Sequence, residues 1–292
     1  MPSSKNRGRH RSASARRSIL LVFLGAVLTA FLLFMFIKIL SKPTKRPTTK
    51  SVPQTTKPQR QPAKPIRSFP QTTYRMAVII DDIGYNLTTL ERFLKLNKNL
   101  TFSVLPDAPY AKESAERIVK SGCELMLHLP MEPLGEEQGY FSTNTLLTSM
   151  SDEEIKKTLT EFLDILPNVK GVNNHMGSKF TTDERALRVV LGVIKSRGLF
   201  FVDSRTNPNS IAFKLAESLG LRTSASNGFL DNFRSKEKIE EHLDRLMLTA
   251  ITGGKALGIG HPYTITLEVL AQRLPLLREK DIELVPVSML VE

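Results

Sequence analysis

MAVIIDDIG, residues 76–84, sets an unbroken run of five apolar residues against two adjacent aspartates and a glycine. A short apolar run without alternation reads as a strand buried on both faces, the habit of parallel sheets covered by helices. Two carboxylates side by side at the end of such a strand repel each other and lose hydration. A bound cation or a shared proton relieves that cost. Asp81–Asp82 is therefore read as the opening of a divalent-metal site, against the plainer reading of a helix or turn cap.

Downstream of this run, short apolar segments alternate with amphipathic stretches of ten or more residues. Strands are predicted at 76–80, 100–105, 125–129, 169–173, 200–203, 256–260 and 283–286, with a weaker one at 221–224. Helices are predicted at 87–96, 111–121, 152–166, 183–197, 210–219, 236–252 and 267–278. Ser151 with Glu154, and Thr181 with Glu184, have capping-box spacing. Repeated strand–helix units of this kind predict an α/β domain over 74–292. Its expected form is a distorted (β/α) barrel of about seven parallel strands.

Upstream, the composition changes. Residues 19–37 are nineteen uncharged residues, about 28 Å as a helix, close to the thickness of a bilayer core. Six Lys/Arg residues precede them within a basic tail, 1–17, and the positive-inside rule keeps that tail in the cytoplasm. No small-residue cleavage site follows the run, so 18–40 is expected to be an uncleaved single-pass anchor in the cytoplasmic membrane. The segment 41–73 is rich in Pro, Thr and Lys and reads as a disordered linker. The rest of the chain is then extracytoplasmic. The chain has 292 residues and a net charge of +12. That charge belongs to the tail and linker: residues 1–75 hold 16 Lys/Arg and no acid, leaving 25 basic against 29 acidic residues. A nucleic-acid partner is therefore excluded. The one cysteine, Cys123, rules out an intrachain disulfide.

In parallel α/β folds the chemistry gathers at the carboxyl ends of the strands. The residues there are Asp81 and Asp82, His128 with Glu132 four positions on, Asn173, Asn174 and His175, Asp203 with Arg205, and His261. One histidine at a strand end is usually structural. The shared placement of His128, His175 and His261 with Asp81, Asp82 and Asp203 at one end of the sheet is the signal. A His₂Asp set with an open position is a hydrolytic metal arrangement.

The segments IIDDIGYN (79–86), FSVLPDAPY (102–110), ELMLHLPMEP (124–133), GVNNHMGSKFT (171–181), FFVDSRT (200–206), FLDN (229–232) and GIGHPY (258–263) occur in that order. Together they resemble the divergent polysaccharide deacetylases, a distant branch of the NodB-like carbohydrate esterases, over residues 76–290. The resemblance implies a distorted barrel and a divalent metal, Zn2+. It implies Asp81 as general base, Asp82 as metal ligand and His261 as general acid. Where the better-known relatives keep His-x-x-x-His, this chain has His128-Leu-Pro-Met-Glu132. Either Glu132 completes the site or His175 does. The preferred ligand set is Asp82, His128 and His175. Asp203 then tunes the catalytic pair, while Asn173, Asn174, Arg205 and Glu132 face the substrate.

The expected reaction is removal of N- or O-acetyl groups from a cell-envelope glycan of the peptidoglycan type. With no tryptophan and five tyrosines, the chain offers a thin aromatic platform for sugar stacking. Two other readings remain at this point. One is a non-catalytic envelope protein with a glycan or metal pocket, favoured by the altered second motif. The other is a metal hydrolase of different amides on the same fold.

Overall fold

The computed structural model describes residues 73–135 and 144–291. The expected tail, anchor and nearly all of the linker lie outside the described residues. Among the described residues no helix is long and apolar enough to cross a membrane.

The first strand, β1 (Tyr74–Ile83), is followed by α1 (Leu87–Leu94), β2 (Thr101–Val104), α2 (Ala111–Lys120) and β3 (Glu124–Met131). Then come α3 (Asp152–Ile165), β4 (Gly171–Met176), α4 (Glu184–Ser196), β5 (Phe200–Asp203) and α5 (Ala212–Ser218). The chain closes with β6 (Thr223–Ala225), β7 (Gly228–Phe229), α6 (Lys236–Gly253), β8 (Lys255–Gly260), α7 (Thr264–Arg273) and β9 (Ile282–Leu284). Ser151 forms the expected capping box with Glu154 at the start of α3. At α4 the cap is Asp183, whose side chain accepts from the Ala186 N–H. Thr181 instead bonds the Gly177 carbonyl.

All ladders of the sheet are parallel, in the order β6-β5-β4-β3-β2-β1-β8-β7, with β9 beside the first residues of β1. The sheet is curled. Its two ends, β6 and β7, are successive stretches of one segment with only Ser226 and Asn227 between them. Ser226 N–H still donates to Asp203 O on the β5 side, and Asn227 N–H already donates to Leu257 O on the β8 side. The seven strands expected and the weaker one at 221–224 are all present, the last of the seven as β9 and the weaker one as β6, and the ninth is β7, whose two residues are too few to leave a pattern in the sequence.

Two apolar layers explain the continuous hydrophobic strands. Met76, Val78 and Ile80 of β1 pack outward under the helices with Phe102, Leu127 and Phe201. Ala77 and Ile79 pack inside the curl with Met126, Phe200, Val202, Leu257 and Ile259. Gly171 has no side chain because the Phe200 ring takes its space: a Cβ there would lie 2.2 Å from that ring. The inward parity of the strands carries on into Asp81 after Ile79, His128 after Met126 and His261 after Ile259.

Candidate metal centre

Consecutive residues of a strand point to opposite faces, so Asp81 and Asp82 should diverge. They do not, because β1 is irregular where the pair sits: its register to β2 shifts between Ile80 and Ile83. Asp82 has a left-handed backbone, φ 54°. Aspartate tolerates that conformation at a cost on the order of 1 kcal/mol. The distortion turns both carboxylates into one cup of about 560 Å³, lined also by His128, His175, Arg205, Phe229 and His261.

Asp82, His128 and His175 converge in this cup. Asp82 Oδ1 lies 3.3 Å from His128 Nε2 and 3.1 Å from His175 Nδ1. The two ring nitrogens are 3.1 Å apart. Three donors at about 2.0 Å from one tetrahedral ion would be spaced by roughly 3.3 Å, so the triangle has the size the ion requires. The chemistry of the donors also fits. Asp82 Oδ1 is buried without a hydrogen-bond partner. Burial opposes its ionisation, yet the two imidazoles hold the Asp82 carboxyl well below the usual carboxylate range.

Asn173, fully buried, orders the layer beneath. Its Nδ2 donates to both Asp81 oxygens at 3.0 and 3.1 Å and to Ser204 Oγ at 3.1 Å. A carboxylate accepts only, so the amide nitrogen faces Asp81 and the amide oxygen faces the other way. That oxygen accepts from Ser103 Oγ at 2.5 Å and lies 3.1 Å from His128 Nδ1. The His128 proton is therefore on Nδ1, leaving the Nε2 lone pair aimed at the cup. Burial raises the Asp81 carboxyl above the usual range, against the lowering pull of His128 and His261.

On the far side, His261 Nδ1 and its own backbone N–H both meet Asp231, each at 2.7 Å. Thr266 Oγ1 donates to the same carboxylate at 2.6 Å. Phe229 stacks on the His261 ring, centroids 6.0 Å apart. Burial disfavours the imidazolium, but Asp231, helped by the charges of Asp81 and Asp82, pushes His261 up to about 9. His261 Nε2 faces the cup, 4.0 Å from Asp82 Oδ2.

Four of the sequence expectations need correction. Glu132 is not at the metal triangle: it accepts from Thr148 N–H, Thr148 Oγ1 and Lys179 Nζ, each at 2.7 Å, and ties two loops together. Asp203 has the parity of outward-facing Phe201, so its carboxylate leaves the cup. It accepts from Arg205 N–H, Ser210 Oγ and Phe213 N–H and fixes the loop into α5. Asn173 is sealed from substrate under Asp81 and His128. Asn174 touches the cup, but its amide is spent on Met176 O, Thr206 Oγ1 and Ser204 N–H. Arg205 is exposed at the cup wall, where a substrate group can reach it. The residue that sequence reasoning left without a role is Asp231. It lies in the FLDN segment, but two-residue β7 gives no strand end to mark it.

A family model described as divergent polysaccharide deacetylase matches residues 78–291. The chain is 34% identical over 224 residues to the uncharacterized protein YibQ of Escherichia coli, covering 77% of this chain and 69% of that one. An uncharacterized protein of Haemophilus influenzae is 30% identical over 218 residues, 75% of this chain and 77% of its own length. The crystal structure of an uncharacterized Agrobacterium tumefaciens protein superposes with a TM-score of 0.71 at 22% identity, over 75% of this chain and 89% of that one. The last similarity is one of fold.

Proposed function

The chain belongs to the divergent polysaccharide deacetylase family, and from that premise we propose that it is a metal-dependent hydrolase removing N- or O-acetyl groups from an envelope glycan of the peptidoglycan type. The observation that carries this reading is the Asp82–His128–His175 triangle, with a base candidate on one side and an acid candidate on the other.

Asp82, His128 and His175 would hold the divalent ion, Zn2+ in this reading, and such an ion supplies Lewis acidity that polarises an acyl carbonyl and acidifies water. Asp81, buried and oriented by the Asn173 amide, takes the proton from the attacking water. Its raised pKa makes it a stronger base than an exposed carboxylate. His261, protonated until about pH 9, gives a proton from Nε2 to the leaving nitrogen or oxygen. Asp231 keeps its Nδ1 occupied, so the transferable proton faces the cup. The products are acetate and a deacetylated sugar. Anchoring of 18–40 in the cytoplasmic membrane, with 74–292 extracytoplasmic, would bring the cup to that glycan. This placement rests on the sequence.

The test uses the purified full chain, its metal content by elemental analysis and acetate release from acetylated oligosaccharides. Asp82→Ala and His128→Ala are expected to lose the ion and the activity together. Asp81→Asn is expected to keep the ion and lose about 10²–10⁴-fold in rate. Full metal content in the first two variants, or undiminished acetate release from Asp81→Asn, sinks the reading.

A further inference from the structure

A second cavity of about 300 Å³ lies between α6 and the residues on either side of β7. Phe229 and Asn232 line both it and the cup, so the two share a wall. Its size is at the small end of ligand clefts and suits one sugar ring rather than a long chain. Arg245, the one Lys, Arg or acidic residue along it, is paired with Glu241 at 2.6 Å. The cavity therefore offers no unpaired charge and suits a neutral ligand.

Phe233, on its wall, is 64% exposed, more than any other large apolar side chain among the described residues. A single exposed apolar residue is ordinary. This one stands beside a cavity that adjoins the cup, and the aromatic rings around it are already committed. Phe229 stacks on His261. Tyr263 has the Arg234 guanidinium 4.0 Å over its ring centroid and His261 at 5.6 Å, and its hydroxyl accepts from Arg234 at 2.8 Å. The ring beside Phe233 is His242, tilted by 57° at 6.4 Å, so no ring stacks on the Phe233 face.

The polar groups of the cavity have capacity left. His242 Nδ1 lies 2.9 Å from the Leu230 carbonyl. A carbonyl accepts only, so the proton is on Nδ1 and Nε2 keeps a lone pair. Asn232 is exposed, and its side-chain amide has no hydrogen-bond partner among the described residues. A pyranose has an apolar face of axial C–H groups and a rim of hydroxyls. An open aromatic face flanked by an amide and an imidazole acceptor matches both.

We propose that this cavity is a second sugar subsite, which holds the ring next to the one whose acetyl group enters the cup. That ring lays its apolar face on Phe233 and its hydroxyls on Asn232 and His242 Nε2. The proposal rests on the deacetylase reading for the identity of the polymer, while the stacking face and the hydroxyl partners belong to the cavity itself. A monosaccharide leaves the cavity empty, so the subsite makes the reaction sensitive to chain length.

The experiment follows acetate release from N-acetylglucosamine oligomers of one to four units on the full chain. For the parent protein KM is expected to fall about three- to tenfold from one unit to two or more, the scale of one aromatic contact. Phe233→Ala is expected to remove most of that fall and to leave KM and kcat for the single unit unchanged, and Phe233→Tyr to keep it. His242→Asn, whose amide can still donate to the Leu230 carbonyl but lacks the Nε2 acceptor, is expected to remove roughly threefold. A KM independent of length in the parent, or a fall that survives Phe233→Ala, overturns the proposal. The second result is also the one that follows if Phe233 serves a contact with another protein. A loss in Phe233→Tyr equal to that in Phe233→Ala overturns it as well. If no oligomer is deacetylated, the cup reading fails, and calorimetry with the tetramer decides the subsite separately. Binding weakened by Phe233→Ala at an unchanged melting temperature then upholds the subsite, and equal binding or none rejects it.

Discussion

Asp231→Asn is the substitution that separates charge from shape at this site. The side chain keeps its size and one acceptor for Thr266 or the His261 N–H, but loses the charge that faces His261 Nδ1 at 2.7 Å. The imidazole stands at about 9 against an ordinary 6.5. That gap of about 2.5 units corresponds to roughly 3.5 kcal/mol of preference for the protonated ring, at about 1.4 kcal/mol per unit. Burial acts in the opposite direction, and Asp81 and Asp82 supply the smaller favourable part. Asp231→Asn should therefore bring His261 down by about two units or more. The folded-state pKa is raised, so the stabilisation is fully present below about 6.5 and is lost as pH rises through about 9. The deficit of the variant, followed by urea unfolding, should be largest near pH 6 and shrink toward pH 9 and above. A pH-independent part, from the weakened hydrogen bonds, should remain. The direct assay is an NMR titration of the histidine Cε1 protons, assigned with His261→Gln and run on metal-stripped protein. In acetate release, the alkaline limb of the rate profile should move down by the same interval. A His261 that still titrates near 9 without the carboxylate refutes the assignment of Asp231 as the group that keeps the acid protonated.

Glu132→Gln should leave metal content unchanged, since the carboxylate serves Thr148 and Lys179. It should cost about 1–3 kcal/mol at neutral pH. The Glu132 pKa is lowered, with burial opposing and Lys179 and Thr148 prevailing. The cost is therefore present above about 4.5 and vanishes as the pH falls below that, which acid-titrated thermal melts can follow. Gly171→Ala should destabilise by about 1–3 kcal/mol or more, because the new methyl meets the Phe200 ring inside the curl. A melting temperature within a degree of the parent would show that Phe200 can move aside.

The helical and strand pattern was legible because parallel strands buried on both faces must be apolar at every position, and helices on their outer side must be amphipathic. Val78–Ile80 and Phe200–Val202 carry that signal without help from the rest of the chain. The same regularity marked Asp81, His128, His175 and His261 as residues at strand ends. What the sequence could not express was direction. Glu132 and Asp203 have the right chemistry and the right position along the chain. Whether each enters the cup depends on strand parity and on partners far away, Lys179 and Thr148 for one and Ser210 for the other. Asn173 was legible as a polar residue, but its hold on Asp81 and His128 exists only because β1, β3 and β4 bring positions 81, 128 and 173 together.

By itself, then, the sequence determined the layered α/β architecture and the type of chemistry at one end of it, since both follow from local composition and period. Only the tertiary structure decided which side chains share the cup. The decisive device is a kink at Asp82 that no propensity announces: a left-handed residue inside a strand turns two neighbouring carboxylates to the same side, and long-range contacts hold it there.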